Sequence, residues 1–174
     1  MRKIVVSEGV SLDGVFEAQT MVQWAQPFHS DERDEVVRKN TLASDALLYG
    51  RTTYDLDAYF WPNQKKNEYG IADKINSMPK VVVTSKPLQA QWNNTTIIKG
   101  NVVEEIAKLK QQPGNGILIK GSAMLVQALL QAGLIDEVQL MVHPVIVGSG
   151  KRFFDGGSGL TRLKLVESKP ISRE

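Results

Sequence analysis

Three short segments of the chain hold residue types suited to gripping phosphate. Gly50-Arg51-Thr52-Thr53 places a glycine, which lets a ligand come close to the backbone, ahead of a planar guanidinium and two hydroxyls. Thr84-Ser85-Lys86 offers two hydroxyls and an ammonium. Gly121-Ser122-Ala123 is a small turn at what reads as a helix start, where free N–H groups favour anions. Taken singly, each is also an ordinary strand-to-helix turn with its cap. Taken together on one sheet edge, they suit a ligand with several phosphates. A fourth segment, Ser11-Leu12-Asp13-Gly14, adds a carboxylate within a pair that commonly makes turns.

Other side chains have chemistry of their own. Glu32 shares a helical face with Val36, Asn40 and Ala43, so it is expected to point inward while Asp31, Asp34, Glu35 and Arg38 face solvent. Its competing role is to favour the positive start of that helix. Trp24, Phe28, Tyr59, Phe60 and Trp61 are bulky residues near loops, suited to stacking on a planar molecule or to packing a core. His29 and His143 are far apart, and with no cysteine in the chain they make no metal site.

The elements that must position these residues are readable from periodicity. Ile4-Val5-Val6, Ala46-Leu47-Leu48-Tyr49, Lys80-Val81-Val82-Val83-Thr84, Thr96-Ile97-Ile98 and Ile117-Leu118-Ile119 are near-continuous apolar runs, as in strands covered on both faces. The run Glu137 to Val147 alternates, and is expected to be a long strand that is antiparallel or near an edge. A weaker strand is expected around Leu163, Leu165 and Ser168. Helices are expected from about Asp31 to Ala43, from an Asn101 cap with Glu104 reaching back, and from a Ser122 cap to Ala132 with Gly133 as its stop. A shorter helix should follow Arg51, capped by Thr52 or Thr53. Strands alternating with helices make an α/β domain with a mostly parallel sheet, and ligands in such sheets bind beyond the carboxyl ends of the strands.

The 174 residues form one expected domain, 1–174, with neither repeat nor linker. A net charge of +2 and 23% charged residues argue against a nucleic-acid-binding protein. Glu8 interrupts the apolar N-terminus, and no apolar run approaches the ~18 residues of a membrane span. A cytoplasmic protein is expected.

Read in order, Ser11-Leu12-Asp13-Gly14, Leu48-Tyr49-Gly50-Arg51-Thr52-Thr53-Tyr54, Val82-Val83-Thr84-Ser85-Lys86 and Ile119-Lys120-Gly121-Ser122-Ala123 resemble the dihydrofolate-reductase-like superfamily. With Leu129 to Glu137 and Pro144-Val145-Ile146-Val147-Gly148-Ser149-Gly150, the chain more closely resembles the reductase domain found C-terminal in bifunctional riboflavin-biosynthesis deaminase-reductases. The resemblance implies an NADPH-dependent, usually dimeric reductase that gives a hydride to a heterocyclic or sugar-derived substrate. It implies that Gly50, Arg51, Thr52 and Thr53 hold the pyrophosphate, Thr84, Ser85 and Lys86 the adenosine 2′-phosphate, and Gly121, Ser122 and Ala123 the pyrophosphate from the other side. Asp13 and Gly14 would lie near the nicotinamide.

Asp13 and Glu32 are the candidate proton donors, and Trp24 and Phe28 the candidate substrate contacts. Ser122 replaces the second glycine of the family's Gly-Gly pair, and the family's final strand is expected to be short or absent. The deaminase half is excluded, because its zinc needs cysteines. The implied substrates are 5-amino-6-(5-phosphoribosylamino)uracil and, alternatively, dihydrofolate or another pteridine. The remaining alternative is a non-catalytic NADPH-binding dimer.

Overall fold

The apolar runs of the sequence become a six-stranded sheet in which every neighbouring pair is parallel, in the order β4-β3-β2-β5-β1-β6. The computed structural model describes residues 1–64, 66–89, 91–155 and 159–171. Its strands are β1 (Lys3–Ser11), β2 (Ser44–Gly50), β3 (Lys80–Val83), β4 (Thr95–Ile98), β5 (Gly116–Ile119) and β6 (Glu137–His143). The helices are α1 (Ala18–Ala25), α2 (Asp31–Leu42), α3 (Arg51–Phe60), α4 (Ala72–Ser77), α5 (Val102–Gln111) and α6 (Ala123–Gln131).

Alternation along the central strands sends side chains into two cores. Ala46, Leu48, Ile117 and Ile119 meet Ile106 of α5 and Ala123, Leu125, Val126 and Leu129 of α6. Leu47, Tyr49, Val82 and Leu118 meet Tyr54 and Ala58 of α3 and Ala72 and Ile75 of α4, with Val37 of α2 packed alongside. Helices therefore cover both faces, as the continuous apolar character of these strands requires.

The structure departs from the sequence-based expectations at its last strand and at two helix starts. β6 is at the sheet edge but parallel to β1, because α6 carries the chain back across the sheet before β6 begins. It stops at His143, since Pro144 has no N–H for the ladder. No strand follows among the described residues, and Leu163 and Leu165 are exposed. The antiparallel contact there is an isolated bridge between Val15 and Arg152.

Helix α3 starts at Arg51 itself, with Gly50 rather than a threonine as its cap. Asn101 takes a left-handed conformation and caps α5 with no side-chain bond, while Glu104 pairs with Lys108 at 2.9 Å. Ser30 and Ser122 do cap, accepting from Arg33 N at 3.2 Å and Leu125 N at 3.4 Å.

Polar ties close the opposite end of the sheet. Lys110, nearly buried, donates to Asp136 Oδ2 at 2.5 Å and to Leu134 O at 2.7 Å, while the same carboxylate accepts Ile4 N at 2.8 Å. Arg2 pairs with Asp45, which also accepts Asn115 N at 2.7 Å.

Candidate active site

β2 and β5 are neighbours, yet the chain leaves them toward opposite faces, α3 into one core and α6 into the other. Divergence of this kind opens a crevice at the carboxyl edge, where ligands bind in open α/β sheets. The two turns that flank it touch. A Cβ on Gly50 would overlap the Ser122 side chain, and one on Gly121, whose φ is +70°, would overlap Thr53. Small residues are required here because the two junctions share one space. The phosphate-suited segments follow the strand order along this edge: Thr84-Ser85-Lys86 after β3, Gly50-Arg51 after β2, Gly121-Ser122 after β5, and Asp13-Gly14 after β1.

The first turn of α3 has no side-chain cap, so its leading N–H groups are not taken by a capping side chain. Arg51 Nε lies 3.4 Å from Asp55 Oδ2, an ion pair too poorly aligned for a hydrogen bond, and this buried nitrogen has no other acceptor among the described residues. Thr84 Oγ1 accepts Lys86 N at 3.1 Å, which curls the segment after β3 and leaves Ser85 and Lys86 exposed.

Four titratable side chains gather around the crevice, from β1, β2, α3 and the end of β5. Glu8 lies on the face of Ile4, Val6 and Val10, and accepts the backbone N–H of Gly121. Burial pushes its carboxyl up to about 7, against the lowering pull of that N–H and of Lys120, with Asp57 adding to the rise. On the other face the Tyr49 hydroxyl donates to Asp57 Oδ2 at 2.9 Å, and the same oxygen lies 3.7 Å from Lys120 Nζ. Lys120 Nζ also sits 5.2 Å over the ring of Trp61.

Known proteins resemble the chain over most of its length. A family model, the RibD C-terminal domain, matches residues 2–174. The chain belongs to that family. Two Bacillus subtilis (strain 168) proteins resemble it, uncharacterized YyaP at 30% identity over 98% of this chain and 90% of that one, and uncharacterized YwjB at 31% over 99% and 94%. Among solved structures, a Shewanella sp. PV-4 protein assigned to riboflavin biosynthesis superposes with a TM-score of 0.68 at 22% identity, covering 87% of this chain and 82% of that one. Acinetobacter baumannii RibD gives 0.64 at 21%, covering 96% of this chain and 54% of the longer protein. These likenesses give the RibD C-terminal domain chain the fold of the riboflavin-type reductases.

Within this RibD C-terminal domain, the candidate residues fall into different positions. Asp13 is a fastener: it accepts from Ser11 Oγ at 2.7 Å, Val147 N at 3.1 Å and Gly148 N at 2.9 Å. Those bonds hold it down to about 2, so near neutral pH it has no proton to give. Gly14 closes the same turn, its N–H reaching Ser11 O at 2.9 Å with φ at +82°. Gly121's N–H is turned inward to Glu8, so what it offers the crevice is room.

Glu32 is exposed and lies with Glu35 and Lys39 along the outer side of α2. The inward positions are instead Arg33, Val37 and Thr41, one residue around the helix, with Asn40 reaching Ser7 at 3.2 Å and Gln139 at 2.5 Å. Trp24 and Phe28 stand edge-on to buried His143, with centroids 5.4 and 5.8 Å away. Burial lowers the pKa of that histidine, and the Arg33 charge lowers it further.

Beside this cluster a cavity of about 170 Å³ opens between the start of α2 and the turn after α3. Phe60, Trp61 and Tyr69 form its aromatic wall and Val37 and Ile71 its apolar floor, while Asp34, paired with His29 at 3.0 Å and Arg33 at 3.7 Å, lines its polar side with them. Trp61 Nε1 and Arg33 Nε are buried and have no acceptor among the described residues.

Glu8, Asp57, Lys120 and Arg33 were not singled out by sequence reasoning. A signal existed for Glu8 alone, a carboxylate at an inward position of an otherwise apolar alternation.

Proposed function

We propose that the chain is an NADPH-dependent reductase that delivers a hydride to a carbon of a small heterocycle. The observation that carries this reading is the row of phosphate-suited junctions across a topological switch point. The uncapped start of α3 and the orphaned Arg51 Nε fit a pyrophosphate, and exposed Ser85 and Lys86 fit a 2′-phosphate two strands away from β5. When bound, the reduced nicotinamide supplies the hydride. The chain's residues orient the partners. Arg51 and Thr52 hold phosphate oxygens, Gly50 and Gly121 let the two turns close together, and the cavity beside Trp61 holds a planar ring.

The family favours 5-amino-6-(5-phosphoribosylamino)uracil as substrate, with dihydrofolate as the alternative. Both should be assayed by loss of nicotinamide absorbance, with thermal shift measured in parallel. A ligand at ~100 times its Kd stabilises by ~2.7 kcal/mol, so no shift with saturating NADPH overturns the reading. A shift without turnover of either compound points to the non-catalytic binding module.

The chain acts as a homodimer through the β6 edge, where Leu140 and Val142 are 39% and 53% exposed, with Ile146, just beyond the strand, at 71%. Sedimentation at micromolar concentration checks this, and a clean 19.3 kDa species counts against it.

A further inference from the structure

A reductase of this kind needs a proton as well as a hydride, and the obvious carboxylates do not provide it. Asp13 is ionised and fully engaged in its turn, and Glu32 faces away. Glu8 lies on the α6 side of the sheet with one oxygen committed to Gly121, whereas the ring-sized cavity is on the α2 and α3 side, where the lining carboxylate Asp34 is paired with His29 at 3.0 Å and Arg33 at 3.7 Å.

Lys120 is the titratable group that joins the switch point to the Trp61 side of the cavity. It continues the β5 alternation on the face of Leu118, the face that carries the cavity. It immediately precedes Gly121 at the switch point, and its ammonium lies over Trp61, a wall of the cavity. Its side chain is 23% exposed, so the cluster leaves it open to a ligand.

It is also held. Asp57 Oδ2 is 3.7 Å away, and Tyr49, fully buried, fixes that carboxylate with its hydroxyl at 2.9 Å. A flexible four-carbon amine is thereby held against Trp61, the residue between it and the cavity, by a rigid residue from the centre of the sheet.

We infer that Lys120 is the catalytic proton donor of the reduction, with Asp57 and Tyr49 as positioning residues. The inference rests on the reductase reading. As the hydride of a reduced nicotinamide forms a C–H bond at the substrate's C=N or C=O carbon, the π pair moves to the heteroatom. An N–H bond of Lys120 breaks and a bond from that proton to the heteroatom forms, leaving the electron pair on Nζ. Water then returns a proton to the amine.

Lys120→Met and Lys120→Arg test this together. Removing general acid catalysis costs typically 10²–10⁴-fold in rate. Both variants should therefore lose at least about 100-fold in kcat, while their Kd for NADPH, read by fluorescence, stays within about threefold. Arginine is the informative replacement, since it keeps the charge but gives up no proton near neutral pH. A Lys120→Arg enzyme with near-parental kcat shows that only the charge matters, and overturns the inference. So does a parallel loss of NADPH affinity and kcat, which makes Lys120 a cofactor contact. If the parent binds no NADPH or reduces neither uracil nor pteridine substrate, the reductase reading falls and takes this inference with it.

Discussion

The Glu8 carboxylate accepts the backbone N–H of Gly121, linking the middle of β1 to the turn that ends β5. This bond braces, from the β1 side, the turn that flanks the crevice where β2 and β5 part. It fixes which way the Gly121 peptide faces, and it places an acid between Val6 and Val10 where the alternation calls for an apolar residue. An acceptor has to fill that position because the N–H has turned away from solvent.

Stability should depend on pH through Glu8. Burial raises the Glu8 carboxyl from 4.5 to about 7, so the folded chain binds the extra proton between those values. Its contribution to stability is full below pH 4.5 and is lost as pH rises through 7, by at most about 3 kcal/mol. Glu8→Gln keeps an acceptor for Gly121 and removes the titration. Urea unfolding at about pH 5 and about pH 8, on either side of that raised value, should show the parent losing stability relative to the variant. Parallel changes in both would mean that Glu8 titrates normally.

Arg51 pairs with Asp55 across one helical turn, and its buried Nε has no hydrogen bond. Arg51→Ala should cost under ~1 kcal/mol of stability, as partly exposed ion pairs do. It should weaken NADPH and NADH alike by at least about tenfold, ~1.4 kcal/mol, since both carry the pyrophosphate. Calorimetric titration with each cofactor decides between that and a merely structural pair.

Lys86, exposed after β3, should distinguish the two cofactors. A charge-assisted contact with the 2′-phosphate is worth roughly 1.5–3 kcal/mol, so Lys86→Ala should weaken NADPH and leave NADH nearly unchanged. Equal losses for both would assign the lysine another contact.

At the far end of the sheet, Asp136 receives both the Lys110 ammonium and the Ile4 N–H. Asp136→Ala would strand a nearly buried cation, which typically costs about 3–5 kcal/mol. Denaturant midpoints should fall accordingly with no change in cofactor Kd, since the pair is remote from the crevice. A loss below about 1 kcal/mol would show that Lys110 finds water instead.

The sequence by itself determined the elements and the residues at their ends. The apolar runs at Ala46–Tyr49 and Ile117–Ile119 specify strands covered on both faces, and glycines, hydroxyls and cations recur directly after them, because periodicity and turn chemistry are local properties of the chain. Which side chains meet was decided only by the tertiary structure. Glu32 pointed inward on a helical wheel, yet the packed face of α2 is one residue around. Alternation after Glu137 marked an edge strand, but β6 runs parallel to β1, a direction set by the crossover through α6. Glu8 with Gly121, and Lys120 with Asp57 and Tyr49, come from segments far apart in the chain. Their meeting depends on strand order, register and the face to which each connection turns, and those follow from burying two cores at once.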